Sequence, residues 1–543
     1  MLICMGNQGP SSSGVPVRNE RHSRAPWVRL FRARTPAAVG IATAAVYFLL
    51  GTAWAFSSPI YSVPDEYSHA VKAAAVVRGD VLPTGRTVGE WVSVPSWLAS
   101  TSWRCFAGRR VLITADCQAR MTESTSLTTQ STTAGRYPPF YYSLVGWPTR
   151  VLAGPSALYA QRVLTALMSA LLLGLAAWSA SAIPRSGRVF LGFGIAITPM
   201  TVYLMGGVNP QAPEIAAAVG VWISGWALLQ SRSIFDSGAM ARLTVSACVL
   251  ALCRPLSVLW LAMIAGALLV GFAGPRHWVM FRESTSAKVC SGFVLMACVA
   301  QTVWVAATGA LVQSTAGVHM STLEAIVTSM SHQLMWPVQM IGMFGGFESF
   351  SWTPVYVVWF VAVACLVLTA LRLGSRRERL VLVLVMAGGM VIPVVAEVAT
   401  REQTGFAWQG RYILPIALGV VLMSGIIARQ RFASIADGRS WDRVARNIIV
   451  PLVGATHFLA WVSALKRYSV GVSSEFPFGD YVIRWIPPGG AWTWVFVMGF
   501  SSCLFTLWLR WVVAVTGVEG ASAVIVAPDA GVERLSSPVK VVP

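Results

Sequence analysis

The stretch AAVGIATAAVYFLLGTAWAF, residues 37–56, holds no charged side chain and is followed at once by SSPIYSVPDEYSH, residues 57–69. An apolar block of about 20 residues, rising about 1.5 Å per residue, matches the ~30 Å hydrocarbon core of a bilayer. A helix satisfies its own backbone polar groups in lipid one segment at a time. The block is too long and too poorly flanked for a cleaved signal, so it reads as a membrane anchor, helix 1, over 36–58.

Blocks of the same kind recur along the chain, among them Val355–Leu371 and Leu380–Val395. Of 543 residues, 55% are hydrophobic and 12% charged, and the mean hydropathy is +0.63. Soluble domains carry about a quarter charged residues, so a string of soluble domains is excluded. The expected fold is an all-α polytopic membrane protein with about 12 transmembrane helices. Helix 2 is expected over 157–183, helix 3 over 188–207 and helix 4 over 211–230. The stretch 241–272 is too long for one span and breaks at Arg254-Pro255, giving helices 5 and 6. Helix 7 covers 287–311, and helices 8 to 12 cover 353–371, 380–398, 410–428, 447–465 and 491–515. Three regions follow: a disordered basic tail over 1–35, a transmembrane domain over 36–516, and a disordered tail over 517–543.

The net charge of +19 arises from 41 Lys and Arg against 22 Asp and Glu. If the amino terminus is cytoplasmic and sides alternate, most basic residues collect in the cytoplasmic segments 18–34, 185–188, 232–242, 276–288, 372–379 and 429–446. The short outer connections are nearly free of them, as the positive-inside rule requires. The charge therefore reports topology and contact with anionic lipid, and no nucleic-acid partner is expected. Both termini are expected in the cytoplasm, with two long outer segments, 59–156 and 312–352.

Cys105 and Cys117 share the first outer segment, in a compartment where disulfides persist, and a bridge between them is expected. The other cysteines lie in spans or in the amino-terminal tail, and the six His residues are scattered without a ligand pair. No phosphate-binding loop, dinucleotide fingerprint or nucleophile elbow is present.

Pro64-Asp65-Glu66 directly follows helix 1 and suits the first turn of a juxtamembrane helix. Two acids there either complement the helix dipole or supply a general base at the membrane surface. His69 lies on the same segment, and Lys72 and Arg78 are placed to meet a phosphate. Tyr137-Pro-Pro-Phe-Tyr-Tyr142 closes the loop as an interfacial segment, and Val145–Leu152 fits a helix lying along the surface. In the second segment, Leu323, Ile326, Val327, Met330 and Leu334 recur at helical spacing, so 321–346 reads as an amphipathic helix on the outer leaflet. An Arg at the break between helices 5 and 6, or at the start of helix 10, is costly unless paired or facing water. Arg254 and Arg411 are therefore phosphate candidates, against snorkelling or pairing with a neighbouring acid. Glu348 and Gln409 complete the candidate substrate-binding set, and Asn209 serves either as a helix cap ahead of Pro210 or as a ligand.

Taken in order, Pro64-Asp65-Glu66, Tyr137-Pro-Pro-Phe-Tyr-Tyr142, Asn209-Pro-Gln and Gln409-Gly-Arg-Tyr-Ile-Leu-Pro415 resemble a bacterial membrane-protein family catalogued as domain of unknown function 2142. The resemblance covers about residues 36–515. That family is similar in turn to the GT-C class of glycosyltransferases, which take a sugar from a polyprenyl-phosphate carrier. In that class an acid in the first outer loop serves catalysis, so the resemblance gives Asp65 or Glu66 the base role, Asp65 by preference. Pro-Pro-aromatic segments recur in its protein mannosyltransferase and aminoarabinose transferase branches. This chain carries Asn209-Pro-Gln where related members often carry Asn-Pro-Asp, which leaves an acidic ligand there without support.

The resemblance implies a GT-C-like transferase in a bacterial plasma membrane. Its partners would be the lipid bilayer, a polyprenyl-phosphate sugar as donor and an envelope glycan as acceptor. The chemistry admits a divalent metal as cofactor without naming its ligands. A glycolipid transporter or flippase, or a non-catalytic scaffold of envelope assembly, would use the same architecture without covalent chemistry. A transporter should place charged or broken positions at mid-depth, whereas the ionisable residues here gather toward the outer face. The topology has a direct check. A Ser126→Cys variant should react with an impermeant thiol reagent in intact cells, and labelling restricted to lysed cells would invert the orientation.

Overall fold

A computed structural model describes residues 35–82, 90–99, 105–108, 113–230, 237–311, 317–432, 438–471 and 482–516. Most of the expected amino-terminal tail, the whole 517–543 tail and residues 312–316 of the second outer segment lie outside the described residues. Helix α1, Pro36–Ser57, starts at Thr35, whose hydroxyl accepts from the Ala38 N–H, with Pro36 at the first helical position. The long segment after α1 carries α2, Glu66–Val76, and then a strand pair, β1 Glu90–Pro95 and β2 Leu127–Thr132. Two short helices, α3 Pro139–Val145 and α4 Pro148–Val151, lead into α5, Gly154–Ser181. The bundle continues with α6 Gly187–Ala196, α7 Pro199–Met205, α8 Gln211–Gln230, α9 Ser237–Cys253 and α10 Ser257–Phe272. Next come α11 Pro275–Glu283, α12 Thr285–Thr308, α13 Thr322–Gln333, α14 Trp336–Gly342 and α15 Thr353–Leu373. Two-residue strands β3 Met343–Phe344 and β4 Ser349–Phe350 pair between α14 and α15. The chain closes with α16 Arg376–Thr404, α17 Leu414–Phe432, α18 Gly438–Val444, α19 Val450–Ser469 and α20 Ala491–Val515.

The protein is an all-α polytopic membrane protein. Among the described residues nine helices are long and apolar enough to cross a bilayer, or up to eleven if the bent pairs α6–α7 and α10–α11 each count as one span. The remaining expected span is α9, an apolar helix of 17 residues. The expected helix over 188–207 is bent by 68° between α6 and α7, where Pro199 opens a new first turn capped by the Thr198 hydroxyl. The expected break at Arg254-Pro255 is present between α9 and α10. The amphipathic run over 321–346 divides into α13 and α14 ahead of Pro337. Leu323, Val327, Met330 and Leu334 stand exposed, while Ala325 and Ser329 are buried. The β1–β2 pair, in register from Glu90↔Thr132 to Pro95↔Leu127, departs from the all-helical expectation. Its Glu-Trp-Val-Ser-Val alternation buries every second residue of β1, a period of two too short to be seen within a long polar loop.

The core is built on α1 packed along α5, with α8 behind it. A Cβ on Gly40 would lie 2.8 Å from the Gly174 carbonyl, and one on Gly174 equally close to Gly40, so the two backbones approach as small residues allow. Where α1 ends, one buried side chain organises the turn. Arg162 of α5 donates through Nη1 to the Ala55 and Ser58 carbonyls and through Nη2 to Pro59. Its Nε and Nη2 meet the two carboxylate oxygens of Glu66 at 2.6 and 2.7 Å. Both side chains are sealed from solvent, at 0% and 1% exposure. The disulfide Cys105–Cys117, with Cα atoms 6.0 Å apart, closes a second part of the loop. Arg467 of α19 holds that part by donating to the Ile113 and Phe106 carbonyls.

Removing one partner of a buried, fully bonded pair costs roughly 3–5 kcal/mol, because the other charge is left uncompensated. Arg162→Leu should therefore lower the Tm of the detergent-solubilised protein sharply. Arg162→Leu with Glu66→Leu should recover part of the loss, and equal Tm values for wild type and Arg162→Leu would refute this account.

Candidate functional site

The chain between α1 and α2 presents its two acids in opposite directions. Asp65 sits in the left-handed backbone region, φ 61°, which Asp and Asn tolerate better than most residues other than glycine. The turn is held by the Glu66 N–H donating to the Val63 carbonyl and by Asn209 Nδ2 donating to the Pro64 carbonyl. Glu66 consequently points into the bundle, where its oxygens are occupied by Arg162 and by the Val208 N–H at 3.0 Å. Asp65 points the other way and keeps 47% of its side chain exposed. Of the two candidate bases, only Asp65 has a carboxylate open to a ligand, and Glu66 acts as an internal anchor.

Arg411 meets Asp65 from across the fold. It lies in the single turn Gly410–Ile413 that precedes α17. Its Nη2 donates to Asp65 Oδ2 at 2.6 Å, Nη1 to Gln211 Oε1 at 2.8 Å and Nε to Gln409 Oε1 at 2.5 Å. Gln211 also donates to the Arg411 carbonyl, which fixes both ends of the residue. A side chain at Gly410 would strike the Trp336 carbonyl at 2.4 Å, so glycine lets this turn press against α14. Glu397 steadies the approach to the turn, accepting from Ser329 of α13 and from the Trp408 N–H.

Arg254, at the break between α9 and α10, pairs with Glu214 of α8 at 3.0 Å. Ser257 donates to the other oxygen of the same carboxylate at 2.7 Å. Both guanidinium groups lie over the ring of Tyr412, Arg254 at 4.9 Å and Arg411 at 4.8 Å from its centroid. His69 completes the cluster, with Nδ1 at 2.8 Å from the Tyr142 hydroxyl and its ring 5.7 Å from that of Tyr137. Burial pushes the His69 imidazole down to about 3, with Arg254 and Arg411 acting in the same direction against Asp65. It is therefore neutral at physiological pH. At Asp65 burial pushes the carboxyl up, but the Arg411 guanidinium beside it outweighs that and holds the group below its ordinary value. Asp65 is thus a carboxylate at neutral pH.

Other expected site residues go elsewhere. Lys72 is buried with its ammonium on the Val81 and Gly135 carbonyls, and burial pushes it down to about 8. Arg78 donates to Ala74 and to the hydroxyl and carbonyl of Thr149. Both staple the outer segment and neither faces Asp65. Asn209 caps α8, accepting from the Gln211 N–H at 2.9 Å, while its amide grips Pro64. Glu348, in the turn between β3 and β4, has Arg467, Tyr203 and Tyr468 as electrostatic neighbours, and burial raises its carboxyl. It stands apart from Asp65's hydrogen-bonding partners. Sequence reasoning missed Gln211, Tyr412 and Arg162 as partners, while the neighbouring acid it allowed for Arg254 is Glu214. The only signal for Gln211 was its place in Asn209-Pro-Gln, and nothing local marks Arg162. Among the described residues no three His, Cys, Asp or Glu side chains converge as a metal site.

The fold and this cluster define a multi-pass membrane protein with a half-exposed aspartate paired with Arg411, and Arg254 sharing the ring of Tyr412, at the end of the bundle that carries the long loop. The chain belongs to the family described as "Predicted membrane protein (DUF2142)", whose model matches residues 48–420. Among solved structures, it is similar to the crystal structure of ArnT from Cupriavidus metallidurans bound to undecaprenyl phosphate. That match has 13% identity, covers 92% of this chain and 78% of that one, and has a TM-score of 0.40. No curated protein sequence matches.

Arg411 is the group that lowers the Asp65 carboxyl most. In Arg411→Gln the Asp65 carboxyl should titrate higher than in wild type, seen by difference infrared spectroscopy as a protonated-acid band that appears at higher pH and is absent from Asp65→Asn/Arg411→Gln. A titration unchanged from wild type would show that Arg411 does not control it.

Proposed function

We propose that this protein is a membrane glycosyltransferase that moves a sugar from a polyprenyl-phosphate donor to an envelope glycan on the outer face of a bacterial plasma membrane. The observation that carries the reading is the half-exposed Asp65 carboxylate bonded to Arg411, with Arg254 also over the ring of Tyr412. A transferase of this kind needs a base for the acceptor hydroxyl and fixed cations for the departing phosphate. Asp65 is the base, and Arg411 and Arg254 receive the phosphate. The polyprenyl chain stays in lipid while its reactive carbon rests at headgroup level, the depth of a site that directly follows a span. The resemblance of the ordered motifs to the GT-C class points the same way. Arg411 covers Asp65 Oδ2 in this arrangement, so engagement of its guanidinium by the donor phosphate would free the base as the donor binds. Tyr412 and Gln211 keep the arginine in reach of both partners. The two arginines stabilise the charge that develops on the departing phosphate.

The test is mass spectrometry of envelope glycans and lipid-linked sugars in cells lacking the protein. The acceptor should be one sugar short and the charged carrier intact. Asp65→Asn should reach the membrane at normal levels yet fail to restore the glycan, with transfer reduced about 10²–10⁴-fold. Full restoration by Asp65→Asn would defeat the assignment of the base. An unchanged glycan and carrier profile in the deletion strain would defeat the transferase reading.

A further inference from the structure

At the opposite end of the bundle from Asp65, helices α8 to α12 enclose an apolar groove of about 650 Å³. Leu228, Met240, Leu261, Leu268, Phe281 and Leu295 are among the residues that line it. The lining residues of α8 come from its carboxy-terminal half and those of α9 from Met240 to Ala247, short of its last turns. Glu214 and Arg254 occupy the other ends of those helices, so the groove runs from mid-depth away from the candidate site. It closes beneath α11, which turns back by 119° from α10. His277 fixes this turn by accepting from the Gly274 N–H through Nδ1 and meeting the Leu229 carbonyl at 3.0 Å through Nε2.

The mouth of the groove is basic. Arg377 donates to the carbonyls of Leu269 and Ala273, both of which line the groove. Arg276, Arg282 and Lys288 stand exposed along α11 and the start of α12, with Glu283 as the one acid of α11. Trp278, 65% exposed, stacks on Phe281 at 6.0 Å, the placement of an interfacial aromatic. A concave apolar wall inside a bilayer is filled by hydrocarbon, and a cationic rim at one end selects the charge of the group attached to that hydrocarbon.

We propose that this groove binds one anionic glycerophospholipid, with an acyl chain between α10 and α12 and its phosphate at Arg377, Arg276 and Arg282. Ordinary boundary lipid would follow the outer surface of the helices without regard to headgroup. Here the walls are fixed, and the cations gather at one end of the groove. A polyprenyl carrier is the less suitable occupant, because its phosphate belongs at the other end of α8 and α9.

The test uses the full chain in detergent with photoactivatable phosphatidylglycerol and phosphatidylcholine carrying a diazirine at the acyl terminus. Phosphatidylglycerol should cross-link to peptides from α9, α10 and α12, and should be retained in native mass spectra at least about tenfold more than phosphatidylcholine. Arg276→Gln/Arg282→Gln/Arg377→Gln should erase the preference between the two lipids. Ala265→Phe, which fills the groove, should remove cross-links from both while leaving Asp65-dependent activity in place. Equal retention of the two lipids by wild type would overturn the proposal, as would cross-links scattered over other helices. Displacement of phosphatidylglycerol from the groove by a polyprenyl phosphate would overturn it in favour of that carrier.

Discussion

The half of the molecule that carries the long loop depends on one buried guanidinium. Arg162 projects from α5 with no solvent contact and makes five hydrogen bonds, three to carbonyls at the end of α1 and two to Glu66. Such a charge is expensive to bury, and it is tolerated where every donor finds an acceptor in good geometry. Here the acceptors are the carbonyls that a helix end leaves unsatisfied, so one residue solves two desolvation problems together. The arrangement also determines where the next turn points. With Glu66 drawn inward, the preceding residue must face outward, and the left-handed backbone at Asp65 follows from that geometry.

Site and scaffold are therefore continuous. Asn209 caps α8 and also holds the carbonyl of Pro64, so the entry of α8 and the turn bearing Asp65 move together. Gln211, two residues on, fixes Arg411 from both its side chain and its backbone. Arg254 is anchored by Glu214 on the next turn of the same helix. One end of α8 thus positions the acid and both arginines, and the ring centroid of Tyr412 lies 4.9 Å from the Arg254 guanidinium and 4.8 Å from that of Arg411. Two like charges can share so small a region because each has its own carboxylate partner, Asp65 or Glu214.

Among the described residues of the long loop, Lys72 and Arg78 serve structure. Both bind backbone carbonyls of the loop, satisfying acceptors that a strand pair and short helices cannot satisfy themselves. At the other end of the bundle Arg276 and Arg282 stand exposed on α11, and Arg377 bonds the Leu269 and Ala273 carbonyls. The same residue type performs three tasks here, and its surroundings rather than its identity choose among them.

Span positions, the break at Arg254-Pro255, the amphipathic run beginning at Leu323 and the pairing of Cys105 with Cys117 were legible in the sequence. Each rests on a local requirement: lipid demands continuous apolar helix, proline lacks an N–H, helical spacing repeats within a turn, and a short loop keeps two thiols close. The placement of acids after α1 was legible too, but not which of them is available. Neighbouring residues at a helix start diverge by about 100°, and only the distant Arg162 decides which one is drawn inward. Asp65 and Arg411 are 346 residues apart, so no local pattern obliges them to meet. Their approach is set by the packing of α8, α14 and α17, and a sequence read along its length carries the residues of that contact without the geometry that joins them.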